Sequence, residues 1–333
     1  MADTQFDVLT IGNAIVDVIA PATPDFLERE GMAEGIMHLV DADRSSYLYD
    51  RMPAEKRQIS GGSSANTAAG VASYGGRAAF VGKVAADDLG GIFADDLREI
   101  GVHYSIDRLH EGPATARSMI LVSPGGERTM NTYLGACQQL TTADIKEEEI
   151  GAAAVTYMEG YLWDPPEAKK AFVLASHYAH KHERPTAFTL SDPFCVNRYR
   201  DEFLDLMRSG TVDIVFANSH EIKSLYQTKS FDEALEAIRK DCRIAAVTRS
   251  EKGSVIVRGE ETVTIQATTI RELVDTTGAG DLYAAGFLYG YTAGRSLKDC
   301  GDLGSLAAGL VIQQLGPRPR QNLRSAAQLA GLL

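Results

Sequence analysis

Short apolar runs recur along the chain at 8–11, 78–81, 153–158, 186–190, 213–217 and 244–248, each of the length and composition of a buried strand. Between them, 64–74, 89–100, 166–182, 231–240 and 279–293 carry helical spacing of apolar positions. Alternation of this kind predicts βαβ units, a mostly parallel sheet and a doubly wound α/β layer structure. Two stretches, 13–41 and 104–134, lack good long helices. The second holds two β-like runs, 115–122 and 129–133, around Pro124-Gly125-Gly126, which predicts a strand-turn-strand insertion. Along the first run Ile120 and Val122 fall on one face and Met119 and Leu121 on the other. A small sheet covered on both sides follows, by substrate below and a second subunit above.

Composition narrows the partners. A chain of 333 residues with 44% hydrophobic and 23% charged residues has enough apolar material for a sizeable core. Its formal net charge of -12 argues against a nucleic-acid surface or an anionic membrane, both of which need clustered Lys and Arg. The first residues show no basic segment followed by an apolar stretch, and no later apolar run approaches the roughly 18 residues of a membrane span, so a cytoplasmic address is expected. Cys137, Cys195, Cys242 and Cys300 are far apart and read as free thiols. His177, His180 and His182 lie in a polar helical stretch and read as a solvated face rather than a metal site.

The densest chemistry is Asp275-Thr276-Thr277-Gly278-Ala279-Gly280-Asp281, followed by an apolar helical segment. Small residues let backbone approach a ligand, and the helix start should gather N–H groups into an anion site at Gly278, Ala279 and Gly280. A bare carboxylate at Asp281 would repel phosphate there unless it had another task. An acceptor beside an anion hole is what deprotonating an alcohol requires while a γ-phosphoryl group is held in line. The competing structural reading is a tight turn with Asp281 as a helix cap. The segment is not a dinucleotide fingerprint, because the third glycine would fall at Tyr283. No G-x-x-x-x-G-K-[ST] loop occurs in the chain.

D-T-T-G-A-G-D resembles the C-terminal signature of the ribokinase (PfkB) family of carbohydrate and nucleoside kinases. Gly61-Gly62-Ser63-Ser64-Ala65-Asn66 is similar to its N-terminal Gly-Gly-x-x-x-Asn signature, and Asn218-Ser219-His220-Glu221 to its N-x-x-E motif. The resemblance implies a three-layer α/β/α domain with a mostly parallel central sheet, formed by 1–12, 42–103 and 135–333, under a small β-sheet lid of 13–41 and 104–134. It implies Asp281 as catalytic base, the Gly278, Ala279 and Gly280 anion hole, and ATP with Mg²⁺ as the phosphoryl-donor system. Asn218 and Glu221 would organise Mg²⁺ and phosphate through water, against the plainer reading of an N-cap followed by a first-turn Glu. Asn13, Asp17, Gly61, Gly62 and Asn66 match the positions that receive the acceptor substrate, Asp17 clamping vicinal hydroxyls. Arg128 lies on the expected lid, where it either closes over phosphates or sits in solvent. Thr248 and Gly253 match nucleotide contacts, although Ser250 stands where the family usually has glycine. Asp275 and Thr277 match a monovalent-cation site in many relatives, which raises K⁺ activation as a hypothesis.

Within the family, Gly12-Asn13-Ala14-Ile15-Val16-Asp17 and the Gly-Gly-Ser-Ser-Ala-Asn segment look most like the bacterial adenosine-kinase-like branch. That implies transfer to the 5′-hydroxyl of adenosine, giving AMP and ADP. The base then needs an apolar wall, for which the lid and Tyr161-Leu162-Trp163 are candidates, with a core position for Trp163 as the alternative. The rivals are a sugar kinase acting on ribose, fructose or a keto-sugar acid, and a non-catalytic ligand sensor on the same fold. The lid segments should exclude water from the reaction, and a homodimer through the lid is a further expectation.

Overall fold

The computed structural model describes residues 4–124 and 127–333; Gly125 and Gly126 of the expected turn and residues 1–3 lie outside them. The chain starts in the large sheet with β1 (Phe6–Ile11) and crosses to a second sheet for β2 (Ile15–Pro21), α1 (Pro24–Arg29), β3 (Met37–Leu39), α2 (Ala42–Arg51) and β4 (Arg57–Gly61). It returns for α3 (Ser63–Ser73), β5 (Ala78–Val81) and α4 (Asp88–Glu99), then crosses again for β6 (Ala116–Val122) and β7 (Arg128–Tyr133). The remainder stays in the large body: α5 (Glu147–Gly151), β8 (Ala153–Glu159), α6 (Pro166–Lys181), β9 (Thr186–Thr189), α7 (Pro193–Arg208), β10 (Ile214–Asn218) and α8 (Ser219–Leu225). There follow α9 (Phe231–Asp241), β11 (Ile244–Thr248), β12 (Ser254–Arg258), β13 (Glu261–Ile265), α10 (Ala279–Thr292), α11 (Leu297–Val311) and α12 (Leu323–Leu329).

The large sheet runs β13-β12-β11-β10-β9-β8-β1-β5. It is parallel from β5 to β11, with an antiparallel edge at β12 and β13. All six apolar runs become its parallel strands, because each is buried on both faces by helices. Helices α3, α10 and α11 pack on one face, α6, α8 and α9 on the other. Tyr157 of β8 meets Phe216 of β10, which meets Phe287 of α10 edge-on, joining sheet to helix layer. Helices α3, α10 and α11 approach closely through small residues: a Cβ at Gly70 would lie 2.5 Å from Ala285 Cβ, and one at Gly286 2.4 Å from the Leu303 carbonyl oxygen.

The lid sheet runs β3-β7-β6-β2-β4. Residues 42–61, expected in the large domain, belong with it. Polar Arg57-Gln58-Ile59-Ser60-Gly61 forms an edge strand antiparallel to β2, and Asp41 caps α2 by accepting from Arg44 N. The layer above the sheet, expected to be a second subunit, is the chain's own: Ser45 of α2 accepts from Arg117 Nε at 2.7 Å and lies against Met119, while Leu27 of α1 and Leu48 of α2 are buried in the core. Register puts Asp17, Ile19, Ile59, Ser118, Ile120, Met130, Thr132, Met37, Leu39 and Arg128 on the opposite face. Among the described residues no helix is long and apolar enough to cross a membrane.

Since the α10–α11 contact leaves no room for a side chain at 286, Gly286→Val should overpack it and lower unfolding stability by about 1–3 kcal/mol. A urea unfolding midpoint equal to that of the parent would contradict the packing described.

Candidate active site

Asp281 lies in the first turn of α10. Its Oδ1 accepts from Ser63 Oγ at 2.5 Å and its Oδ2 from Asn66 Nδ2 at 3.0 Å, while Thr67 Oγ1 donates to its backbone carbonyl at 3.2 Å. Three side chains from the first turns of α3 thus hold the start of α10, and Ser63 and Asn66 aim the carboxylate. Burial pushes the Asp281 carboxyl above the ordinary carboxylate range, and the Ser63 and Asn66 donors pull it back. The turn before it needs glycine: Gly278 has φ +79°, and a Cβ there would sit 2.6 Å from Pro317 Cβ. Ala279 N is drawn into that turn by the Thr276 carbonyl. The expected anion hole would then rest on the Gly280 and Asp281 N–H groups, which in a helix's first turn have no acceptor one turn back. A Cβ at Gly280 would face open space, so this backbone is accessible.

The lid joins the body at four crossings, and two carboxylates help to hold them, Glu159 buried and Asp87 half-buried. Glu159, at the end of β8, accepts from Asn13 N through Oε1 and from Ser64 N through Oε2, both at 2.7 Å, tying the β1–β2 crossing to the β4–α3 crossing. Burial lifts its carboxyl to about 7 despite these two donors. At the same place Gly62 has φ +94°, and a Cβ on it would lie 2.2 Å from the Asn13 carbonyl oxygen. Asp87 holds the α4–β6 crossing, accepting from Thr115 N at 2.9 Å and Thr115 Oγ1 at 2.6 Å while it caps α4, and the crossing after β7 is joined to it by Ala136 N, which donates to the Ala114 carbonyl. Asn13 thus enters the site through its backbone.

Asp17 projects from β2 beside Gly61, whose missing Cβ would fall 2.6 Å from Asp17 Oδ2. Burial raises the Asp17 carboxyl to about 6, against the fields of Arg318 and Arg128. Of its two expected places, Arg128 does not take the one in free solvent. Its Nη2 pairs with Asp275 Oδ2 at 2.7 Å and its Nη1 donates to Thr277 Oγ1 at 3.2 Å, latching the lid to the loop before α10. Asp275 also accepts from Thr277 N, Thr277 Oγ1 and Gly316 N. With a guanidinium already supplying positive charge, this carboxylate does not fit a monovalent cation.

On the nucleotide side, Asn218 caps α8 and Glu221 returns to it: Asn218 Oδ1 accepts from Glu221 N at 3.0 Å, Glu221 Oε2 accepts from Asn218 N at 2.8 Å, and the two side chains also bond directly. The expected cap is thus present, and it leaves the Glu221 carboxylate at the head of α8. Burial, with the like charge of Asp192 adding to it, lifts the Glu221 carboxyl to about 7 against the Asn218 donors. A buried carboxylate whose donors are neutral and which no cation among the described residues pairs would suit a hydrated divalent cation held by Glu221 and Asn218, which would neutralise phosphate oxygens. Thr248 is in register with Asn218 at the end of β11, and Gly253 closes the turn into β12. Ser250 keeps the left-handed backbone a glycine would favour, at φ +52°.

The structure removes Trp163 from the base wall. Its ring is buried among Phe172, Phe188 and Phe203, and its Nε1 donates to Glu202. The exposed Met37, Leu39 and Ile59 supply apolar surface on Asp17's own lid face instead. Ser63, Thr67, Glu159 and Arg318 escape sequence reasoning. The first two lie inside or beside a recognised signature, whereas Glu159 and Arg318 carry no local signal. His180 and His182 pair with Asp213 and Glu147 at the half-exposed surface, as expected of a solvated face.

An anion-binding helix start, an oriented carboxylate and a substrate lid define a phosphotransferase acting on an alcohol. The chain belongs to the pfkB family of carbohydrate kinases, whose model matches residues 36–322. It is 28% identical to an adenosine kinase of Saccharomyces cerevisiae, over 93% of this chain and 96% of that one. Two solved structures resemble it throughout: an adenosine kinase from Sinorhizobium meliloti, 59% identical with TM-score 0.91 over 98% and 99% of the two chains, and a probable sugar kinase protein from Rhizobium etli, 58% identical with TM-score 0.92 over 99% and 100%.

The raised carboxyl groups set a pH dependence. If Asp281 is the base it must be ionised to take a proton, so a folded-state value above the ordinary carboxylate range makes kcat fall as pH drops through it. Asp17, at about 6, must be ionised to accept two hydroxyls, so kcat/KM falls further below that pH. A profile measured from pH 5 to 8 should show an acid limb in both; a flat profile would contradict this electrostatic picture.

Proposed function

We propose that this ATP-dependent kinase transfers the γ-phosphoryl group to the 5′-hydroxyl of adenosine, giving AMP and ADP, with Asp281 as the base. The observation that carries it is the Asp281 carboxylate, aimed by Ser63 Oγ and Asn66 Nδ2 beside the first-turn N–H groups of α10. In the reaction the hydroxyl proton passes to Asp281, the oxygen–phosphorus bond forms, and the bond from Pγ to the bridging oxygen breaks to release ADP. First-turn N–H groups of α10 meet the charge on the transferred group. A buried carboxylate is the stronger base near neutral pH. Asp17 accepts from the two ribose hydroxyls, and the Arg128 latch keeps water out while the lid is down.

Two features favour a nucleoside over a free sugar. The lid face around Asp17 offers Met37, Leu39 and Ile59 to an aromatic base, which a sugar would not use. The 59%-identical relative is an adenosine kinase. The sugar reading draws on the Rhizobium etli relative, described as a probable sugar kinase.

Purified protein assayed with Mg-ATP against adenosine, ribose, fructose and keto-sugar acids should turn over adenosine with the highest kcat/KM. Saturable turnover confined to sugars would replace the acceptor, not the chemistry. Asp281→Asn keeps the shape and removes the proton acceptor, so kcat should drop roughly 10²- to 10⁴-fold; unchanged turnover would remove Asp281 as base. Because Asp275 and Thr277 are committed to the Arg128 latch, exchanging K⁺ for Na⁺ should leave turnover within about twofold, well short of the ~10-fold change that 1.4 kcal/mol would produce. A large K⁺ requirement would mean that the latch opens to admit the ion.

A further inference from the structure

Arg318 belongs to none of the recognised motifs, yet it reaches the centre of the site from the loop after α11. Its Nε donates to Asn66 Oδ1 across 3.4 Å, a long hydrogen bond, and its Nη1 donates to Ser60 Oγ of the lid strand β4. Ser60 in turn gives both its backbone N–H and its hydroxyl to Asp96 Oδ2, each at 2.9 Å. The loop is seated firmly, since the neighbouring Pro317 occupies the space where Gly278 lacks a side chain.

The consequence lies in the asymmetry of an amide. Asn66 has one accepting end and one donating end, and its Nδ2 is the group that donates to Asp281 Oδ2 at 3.0 Å. Turned over, it would set an NH₂ against the Arg318 guanidinium and an oxygen against a carboxylate, two repulsive contacts in place of two attractive ones. Arg318 therefore decides which end of Asn66 faces the base. A buried arginine serving structure alone would have its donors filled, but Arg318 Nη2 is buried with no hydrogen-bond partner in the structure. The side chain sits where the acceptor site needs charge, not where the fold alone needs a bond. Asp17, the other acceptor-site carboxylate, also lies within its field.

We propose that Arg318 is a positioning residue for phosphoryl transfer, acting on Asp281 through Asn66 in the relay Arg318 Nε to Asn66 Oδ1, Asn66 Nδ2 to Asp281 Oδ2. The inference rests on Asp281 being the base. It places the control of that base on a C-terminal loop, 252 residues from Asn66 in sequence, that also holds a lid strand. A lid displaced at Ser60 would loosen the guanidinium and free the amide to turn, so the base is fully aimed only when β4 is in place.

A double-mutant cycle tests the relay. Arg318→Met keeps length and removes every donor; it should lower kcat roughly 10- to 100-fold, the scale of one lost hydrogen bond to a charged group, with a smaller change in KM. Without the oriented Asn66 donor the ionised form of Asp281 is less favoured, so the acid limb of kcat should move to higher pH. Arg318→Lys, which keeps one donor and the charge, should recover part of both. In an Asn66→Ala background Arg318→Met should neither lower kcat further nor shift the limb. Equal fold-losses in the two backgrounds, or a loss with the acid limb unmoved, would overturn the relay. If Arg318→Met does not fold, the same cycle run with Arg318→Lys decides. An inactive wild type would sink the proposed function and this inference together, whereas an active wild type with additive losses sinks the relay alone.

Discussion

The site depends on one constraint: a carboxylate must stay ionisable and correctly aimed beside a place built for phosphate. Asp281 meets it through geometry. Its two oxygens are held by Ser63 and Asn66 on α3, which cancels part of the burial penalty. Helices α3 and α10 pack backbone-close, with Gly70 against Ala285, and Gly286 against Leu303 seats α10 on α11 in turn. A larger residue at 70 would push α3 from α10 and so part Asp281 from the Ser63 and Asn66 groups that orient it.

The second requirement is a lid that moves without losing register. Four crossings connect lid and body: buried Glu159 takes a backbone donor from each of the first two, and the other two are joined by half-buried Asp87 on Thr115 and by the Ala136 N to Ala114 carbonyl bond. Such bonds hold the hinges while leaving the sheet beyond them free to tilt. The Arg128–Asp275 pair at the far rim closes the structure over the site, and Thr277 joins the same contact. Because α1 and α2 cover the lid's outer face, the lid is a complete two-layer unit within one chain.

Much of this was legible in the sequence. Strands buried on both faces read as apolar runs, and all six reappear at their places in the parallel sheet. The D-T-T-G-A-G-D segment carries its chemistry locally, since a glycine turn, a helix start and a carboxylate are all set by neighbouring residues. The lid was harder. Strands β3 and β4 are short, and β3 is wholly exposed, so their pairing depends on partners far along the chain rather than on their own pattern. Glu159 ends an apolar strand and looks like a surface residue until β1 and α3 close over it. Arg318 follows a Gly-Pro turn and resembles solvent-exposed charge. Long-range contacts give both their roles, and no local spacing encodes them. Trp163 was ambiguous because an aromatic in a loop suits either a ligand wall or a core; the surrounding phenylalanines decide for the core.

The central claim is that the Asp281 carboxylate is within proton-transfer reach of the acceptor hydroxyl while the lid is down. A crystal structure with adenosine and a non-hydrolysable ATP analogue tests it most directly. The account predicts an Asp281 oxygen at roughly 2.6–3.2 Å from the 5′-oxygen, with Asn66 Nδ2 still on the other carboxylate oxygen. A nucleoside bound with its 5′-hydroxyl directed away from Asp281, or served by a different base, would contradict it.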